Sequence, residues 1–368
     1  MLKPALAALW SETFNTEEKT VSVAYKSIQW NQQKVIYDLL LAGTLALYVF
    51  LFVGTAQWFG GPDIENGLRG IWIRAYGSAA FLLLHVILSI GPLTRLNPKF
   101  YPLLFNRRHM GVVMFGLGVH HARGALKWYH DFSDQVDPIT SLLTSNTNFQ
   151  FIPFPFELLG IGALLILGLM AFTSHDFWLH NLTAPVWKAL HMGVYIAYAL
   201  LVGHVFLGAL QTNKHPLLTL AVAVGLVWIL GVHFWAAQKE AAGDRQAYTL
   251  DADGFADIGS VKEIPNKRAK VVTLAGERIA VFKYDGKISA VSNVCQHQNG
   301  PLGEGKILDD GCITCPWHAY QYRPEDGASP PPFTEKVPTF TVKLQGDRIL
   351  LRAIPHPAGT RVPPAIIV

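Results

Sequence analysis

Charge is spread along this chain in a way that no single soluble globule shows. Between residues 35 and 237 only about 9% of positions are Asp, Glu, Lys or Arg, against about 23% elsewhere. The poor stretch contains six apolar segments, roughly 35–59, 71–94, 109–129, 152–172, 185–210 and 217–236. Each approaches the ~20 residues a helix needs to cross a hydrocarbon core. Core helices of a large soluble protein would not recur six times in about 200 residues. An even number of crossings puts both ends on one side. That side would carry Lys3, Lys19, Lys26, Lys34, Arg95, Lys99, Arg107, Arg108, Lys188, Lys239 and Arg245, whereas the opposite loops carry Arg69, Arg74, Arg123, Lys127 and Lys214. The positive-inside rule then predicts a multi-pass protein of the cytoplasmic membrane with both ends in the cytoplasm. The opening MLKPALAALWSETFN has too short an apolar core and no clear cleavage site, so no signal peptide is expected. A net charge of +4 without a dense basic run gives no reason to expect nucleic acid. The loop at about 130–150 is long for a helix–helix connection and suits either a partner contact or a connector.

After Lys239 the composition becomes that of a soluble domain. KVVTL, RIAVFKY and KISAVSNV alternate as half-buried strands do, separated by Gly-Glu and Asp-Gly-Lys turns, and FTVKLQ and RILLRAI follow. These predict a small all-β domain over 258–354, joined by a linker at 238–257 and followed by a Pro-rich tail at 355–368. Residues 1–34 are expected as a cytoplasmic N-terminal segment and 35–237 as an all-α six-helix membrane bundle.

All three cysteines fall between 295 and 315. That is no secreted disulfide framework but suits a metal site. The cluster reads Cys295-Gln-His297 and, further on, Cys315-Pro-Trp-His318. Two thiolates and two imidazoles can bind zinc. A Rieske [2Fe–2S] centre instead puts two cysteines on one iron and two histidines on the other, so each loop must supply one sulfur and one nitrogen. The alternation here has that form, whereas a zinc finger pairs Cys with Cys and His with His. VCQHQNGPLGEG and CITCPWHAYQY resemble bacterial Rieske ferredoxins and the ferredoxin domains of ring-hydroxylating oxygenases. The resemblance implies Cys295 and Cys315 on one iron, with His297 and His318 on the other. Where the Rieske proteins of respiratory bc complexes have a disulfide between loops and a serine donor, this chain has Gly300, Trp317 and Tyr320. Fewer donors to the cluster predict a potential toward the low end of the ~−150 to +300 mV Rieske range. Cys312 is left over and reads as a buried strand thiol.

Seven histidines lie in or at the edges of the apolar segments: His85, His109, His120, His121, His191, His204 and His233. Ionisable side chains at membrane depth are costly and mark functional sites. So many at matched depths suit b-type haem, held by imidazoles from facing helices. At 1.5 Å per residue, His191 and His204 lie about 20 Å apart along one helix, and His109 and His121 about 18 Å apart along another. The two helices run the same way, so His109 is level with His191 near the inner face and His121 with His204 near the outer. His191 and His204 differ by about 140° around an ideal helix, which points them at different neighbours or requires a helix distortion. RRHMGVVMFGLGVHH and AFTSHDFWLHNLTAPVWKALHMGVYIAYALLVGH resemble the ferric-reductase-like transmembrane family, and most of all the haem-binding membrane subunit of periplasmic methionine sulfoxide reductase. The resemblance implies haem iron on His121, His191 and His204, with one or two b-type haems. The inner partner of His191 stays open between His109, His85 and His233, and His120 is the alternative to His121. Arg107, Arg108 and Lys188 sit where haem propionates would need cations. Asp38 reads as an edge residue.

No GxGxxG fingerprint or flavin domain is present, and no separate two-histidine, one-carboxylate iron site. The expected function is therefore transmembrane electron transfer, an oxidoreductase component with separate partners. A cytoplasmic reductase or ferredoxin would supply electrons to the cluster, and an acceptor beyond the membrane, such as a periplasmic molybdoenzyme, would take them. Two alternatives are a quinol-oxidising haem protein that feeds a cytoplasmic enzyme through the cluster, and a membrane redox sensor.

Overall fold

The computed structural model describes residues 32–59, 67–131, 135–144, 155–175, 178, 182, 184–212, 216–297, 299–316, 320–331 and 333–367. The N-terminal segment expected over 1–34, apart from its last residues, and His318 and Trp317 lie outside the described residues. The chain divides into two compact units, one spanning Trp30–Gln246 and one containing Ala247–Val368.

The first unit is helical: α1 (Gln32–Phe59), α2 (Gly67–Leu96), α3 (Arg107–Tyr129), α4 (Pro138–Thr144), α5 (Glu157–Thr173), α6 (Ala184–Met192), α7 (Val194–Leu207), α8 (Ala209–Thr212) and α9 (Pro216–Asp244). A 3₁₀ segment, Pro98–Asn106, connects α2 to α3, started by Asn97, whose side chain accepts from the Lys99 amide. Among the described residues, four stretches are long and apolar enough to cross a membrane: Val35–Ala56, Gly67–Leu96, Val186–Gln211 and Pro216–Asp244. Two further expected crossings form helices of a different character. The helix α3 has 23 residues but includes Arg107, Arg108, Arg123 and Lys127, and α5 is a shorter apolar helix of 17 residues.

Large apolar side chains face outward on these helices, among them Leu39, Leu40 and Phe50 on α1, Leu165 on α5, and Val227 and Leu230 on α9. A helix that is apolar all round has a lipid-facing surface in place of a polar one. Inside, α2 is the most enclosed element. Leu83, Leu84, Leu88 and Ile90 pack with Met110 and Met114 of α3, Ala163 and Leu167 of α5, Ala197 and Tyr198 of α7, and Ile229 of α9. Lys239 donates to the Arg95 and Leu96 carbonyls at 2.9 and 3.1 Å, and Arg95 pairs with Glu240 at 3.2 Å, so the end of α2 meets the last turns of α9. The helix carrying His191 and His204 is interrupted. Gly193 donates back three residues to the Leu190 carbonyl, separating α6 from α7.

The second unit is an antiparallel β-domain. Its strands are β1 (Phe255–Ser260), β2 (Arg268–Leu274), β3 (Glu277–Tyr284), β4 (Lys287–Ser292), β5 (Lys306–Ile307), β6 (Ile313–Thr314), β7 (Gln321–Tyr322), β8 (Thr339–Phe340), β9 (Val342–Gln345), β10 (Arg348–Arg352) and β11 (Ala365–Ile366). They form sheets ordered β1-β10-β9, β11-β4-β3-β2 with β8 also on β4, and β5-β6-β7. The β2–β3 and β3–β4 hairpins turn through Ala275-Gly276 and Asp285-Gly286, all four at positive φ. Such turns match the right-handed twist of the strands they join.

Buried on both faces, β3 divides the core by its period of two. Ile279 and Val281 pack with Ile288, Phe340, Ile349 and Leu351. Ala280, Phe282 and Tyr284 face a second cluster that contains Cys295, Cys315 and Tyr322. The stretch set apart in sequence as a tail contributes β11, which pairs with β4, and Arg361, which pairs with Glu325 at 2.8 Å.

Candidate metal centres

Two loops of the β-domain hold the cysteines. Val294 bridges to Pro301 just beyond β4, and between them the Cys295 amide donates to the Gly300 carbonyl at 2.9 Å. The Asn299 amide returns to the Cys295 carbonyl at 2.7 Å, with Asn299 in the left-handed region. The second loop joins β6 to β7. There the Cys315 amide donates to the Tyr320 carbonyl at 2.8 Å. Each cysteine thus opens a loop closed by its own amide onto the carbonyl five residues on; His297 lies in the first, and His318 is outside the described residues. Both sulfurs are buried in one apolar cluster, and neither is in a disulfide. Two buried thiols outside any disulfide, with His297 two residues after the first, fit the sulfur side of a cluster of the Rieske kind.

The aromatic residues around these loops divide their work. The His297 ring stacks on Tyr320, centroids 4.7 Å apart and planes 11° from parallel. The Tyr320 hydroxyl bonds the Glu335 carboxylate, so the residue standing at the serine position directs its hydroxyl to that carboxylate. The hydroxyl that lies against a cysteine sulfur is that of Tyr322, a residue the sequence did not single out. Its hydroxyl lies 3.4 Å from Cys295 Sγ and accepts from the Gln296 amide at 3.0 Å. Burial holds the phenol of Tyr322 protonated, well above the usual range, with the Cys295 sulfur beside it adding to the effect. As a core-facing aromatic of a two-residue strand, it carried no sequence signal apart from packing. Cys312 lies just before β6, buried, with its thiol pushed up to about 11 chiefly by burial.

In the helical unit the structure brings His121 of α3 and His204 of α7 together. Their ring centroids are 6.2 Å apart and their planes 87° from parallel. His121 Nδ1 donates to the Ile73 carbonyl at 2.8 Å, and His204 Nδ1 to the Phe156 carbonyl at 3.0 Å. A carbonyl only accepts, so each Nδ1 carries the proton and each Nε2 keeps a lone pair for a metal. Two imidazoles on one metal need about 2 Å from metal to nitrogen and about 1 Å from nitrogen to ring centre on each side, about 6 Å in all. The ring separation suits two imidazoles that share one metal.

The other histidines have different partners. His120 meets the edge of Tyr76 at 4.3 Å. His85 bonds the Phe81 carbonyl at 2.8 Å and the Tyr198 hydroxyl at 3.1 Å. His191 bonds the Trp187 carbonyl at 3.0 Å and Ser174 Oγ at 3.2 Å, and stacks on Trp187. His233 bonds the Ile229 carbonyl and the Tyr195 hydroxyl. His109 is paired with Asp38 at 2.8 Å, which gives that edge carboxylate a partner.

Comparison with known proteins finds two different families in the two parts of the chain. Residues 254–341 match the family model of the Rieske [2Fe–2S] domain, and residues 70–202 match that of the ferric reductase like transmembrane component. The ferredoxin component of the alkene monooxygenase system of Xanthobacter autotrophicus is 26% identical over 103 residues, covering 28% of this chain and 84% of that protein. A cholesterol 7-desaturase of Ciona intestinalis is 32% identical over 89 residues, 24% of this chain and 19% of its own. Magnetosome protein MamZ of Magnetospirillum gryphiswaldense is 28% identical over 201 residues, 53% of this chain and 29% of MamZ. The chain therefore spans less than a third of the last two.

Proposed function

We propose, from the premise that a chain joining a Rieske [2Fe–2S] domain to a ferric-reductase-like transmembrane region is a membrane electron-transfer protein, that it carries electrons out of the cytoplasm. Cys295, Cys315, His297 and His318 would hold the cluster, a one-electron carrier that receives electrons from a cytoplasmic reductase or ferredoxin. His121 and His204 would hold a b-type haem toward the outer face of a six-crossing bundle. His191, with His109, His85 or His233, would hold a second haem toward the inner face. The acceptor lies beyond the cytoplasmic membrane, a periplasmic molybdoenzyme being one class that suits it. An inside-negative potential favours this direction by about 2.3 kcal/mol per charge per 100 mV.

The observation that carries the reading is the His121–His204 pair, at a ring separation that suits one shared iron with both Nδ1 atoms already tied to backbone. Optical and EPR spectroscopy of the purified protein, with haem and iron quantified, tests it. The expected result is one Rieske signal and at least one low-spin haem per chain, the haem lost in His121→Ala. A second haem would show as a further loss in His191→Ala, and His109→Ala, His85→Ala and His233→Ala identify its other ligand. Absence of haem absorbance after reduction with dithionite would end the reading.

One observation favours the reverse route, in which quinol is oxidised in the bundle and the cluster feeds a cytoplasmic enzyme. The ferredoxin component named above belongs to a monooxygenase system. A cluster midpoint well above that of the quinone pool would support that route, and one below it supports outward transfer.

A further inference from the structure

His121 and His204 are held by the same four-part clasp, built twice from different helices. In the first copy, α2 presents Gly77 to the His121 ring. A methyl group there would come within 2.7 Å of Nδ1 and 2.9 Å of Cε1. The carbonyl that accepts from Nδ1 is that of Ile73, four residues before the glycine. The Ile73 side chain in turn sits over Gly124 of α3, one turn beyond His121, where a methyl group would come within 2.9 Å of it. In the second copy, a methyl group at Gly160 of α5 would lie 2.9 Å from His204 Nδ1. The accepting carbonyl is that of Phe156, again four residues before the glycine. The Phe156 ring covers Gly208, one turn beyond His204, at 2.6 Å from a methyl group there.

The recurrence has a plain physical reason. A helical side chain leans toward the N-terminus and covers the turn before its own Cα, which includes the carbonyl four residues back. That carbonyl already accepts the helical N–H, and it keeps a second lone pair. Any side chain at position 77 or 160 would screen it. Glycine leaves it open to an imidazole from the neighbouring helix. Resting on the reading that His121 and His204 bind haem iron, we propose that Gly77 and Gly160 are positioning residues for that pair. They uncover the Ile73 and Phe156 carbonyls, which fix the Nδ1–H tautomer of each ring and aim its Nε2 at the shared iron.

The test compares Gly77→Ala, Gly160→Ala, His121→Ala and Gly116→Ala in the full chain. Gly116 lies on α3, where an added methyl group meets nothing within 4 Å. The first readout is the rate at which haem passes to apomyoglobin, with the Rieske EPR signal of each sample reporting an intact chain. Loss of a group that orients a metal ligand costs about 10- to 100-fold in affinity. Gly77→Ala and Gly160→Ala should therefore lose haem about 10- to 100-fold faster than Gly116→Ala, which should match the parent. The second readout needs no variant: ¹⁵N NMR of histidine-labelled, reduced low-spin parent should show the iron-bound imidazoles protonated at Nδ1. Haem retention by Gly77→Ala and Gly160→Ala equal to that of Gly116→Ala, or bound imidazoles unprotonated at Nδ1, overturns the clasp. If His121→Ala loses haem while the glycine variants keep it, the clasp alone fails. If His121→Ala loses no haem relative to the parent, the ligand reading fails and the clasp with it.

Discussion

A single hydroxyl, that of Tyr322, lies 3.4 Å from a proposed cluster sulfur, Cys295 Sγ. Tyr322 is buried and stays protonated, so it remains a donor toward Cys295 Sγ across the working pH range. Sulfur is more negative when the cluster is reduced, so the bond stabilises that state more. A difference of about 1 kcal/mol corresponds to about 40 mV on a one-electron couple. Tyr322→Phe should therefore lower the midpoint by about 40 mV with the Rieske EPR line shape kept; an unchanged midpoint would remove Tyr322 from the account. Cys312 tests the ligand set from the other side. Its thiol is pushed up to about 11, chiefly by burial, and we propose that it stands apart from the iron ligands. Cys312→Ser should retain the full iron content, whereas Cys295→Ser and Cys315→Ser should each lose the Rieske signal.

At the scale of elements, the β-domain was readable because its signals are local. Alternation marked β2, β3 and β4, and Asp285-Gly286 marked a hairpin whose positive φ values glycine favours. The Rieske domain was readable because cluster chemistry dictates residue type in its Cys-x-His and Cys-x-x-His segments. The membrane histidines were half readable. Rise per residue put His121 level with His204, but it could not say that Gly193 divides α6 from α7, nor that His191 would bond Ser174. Gly77 and Gly160 gave no sign, because a glycine in an apolar helix looks alike whether it is filler or contact, and the partner ring lies on another helix. The short 3₁₀ turn after β1 carries an electrostatic prediction. Ser260 and Glu263 form a capping box, and Lys270 holds the Glu263 carboxyl below its usual range at 2.6 Å. A depressed carboxylate stabilises the folded form above the unfolded pKa of about 4.3 and loses that contribution as pH falls through the lower folded value. Thermal loss of the cluster chromophore should show the parent outlasting Glu263→Gln at neutral pH, with the gap closing at about pH 4 and below. A gap independent of pH would contradict this assignment.

For the whole molecule, composition alone pointed to an apolar helical part and a β-sheet part, and the chain contains a helical unit and a β unit. The account's central claim is that these two parts form one conducting path from a cluster in water to haem iron in lipid. Vesicles of inner-membrane lipid that enclose ferricyanide and carry the cofactor-loaded protein, supplied outside with a reductase that feeds Rieske ferredoxins, test it most directly. In molecules whose β-domain faces outward, the enclosed ferricyanide should be reduced well above the rate in protein-free vesicles, and Cys295→Ser and His121→Ala should each return it to that background. Reduction no faster than in empty vesicles, or a full rate in His121→Ala, would contradict the claim.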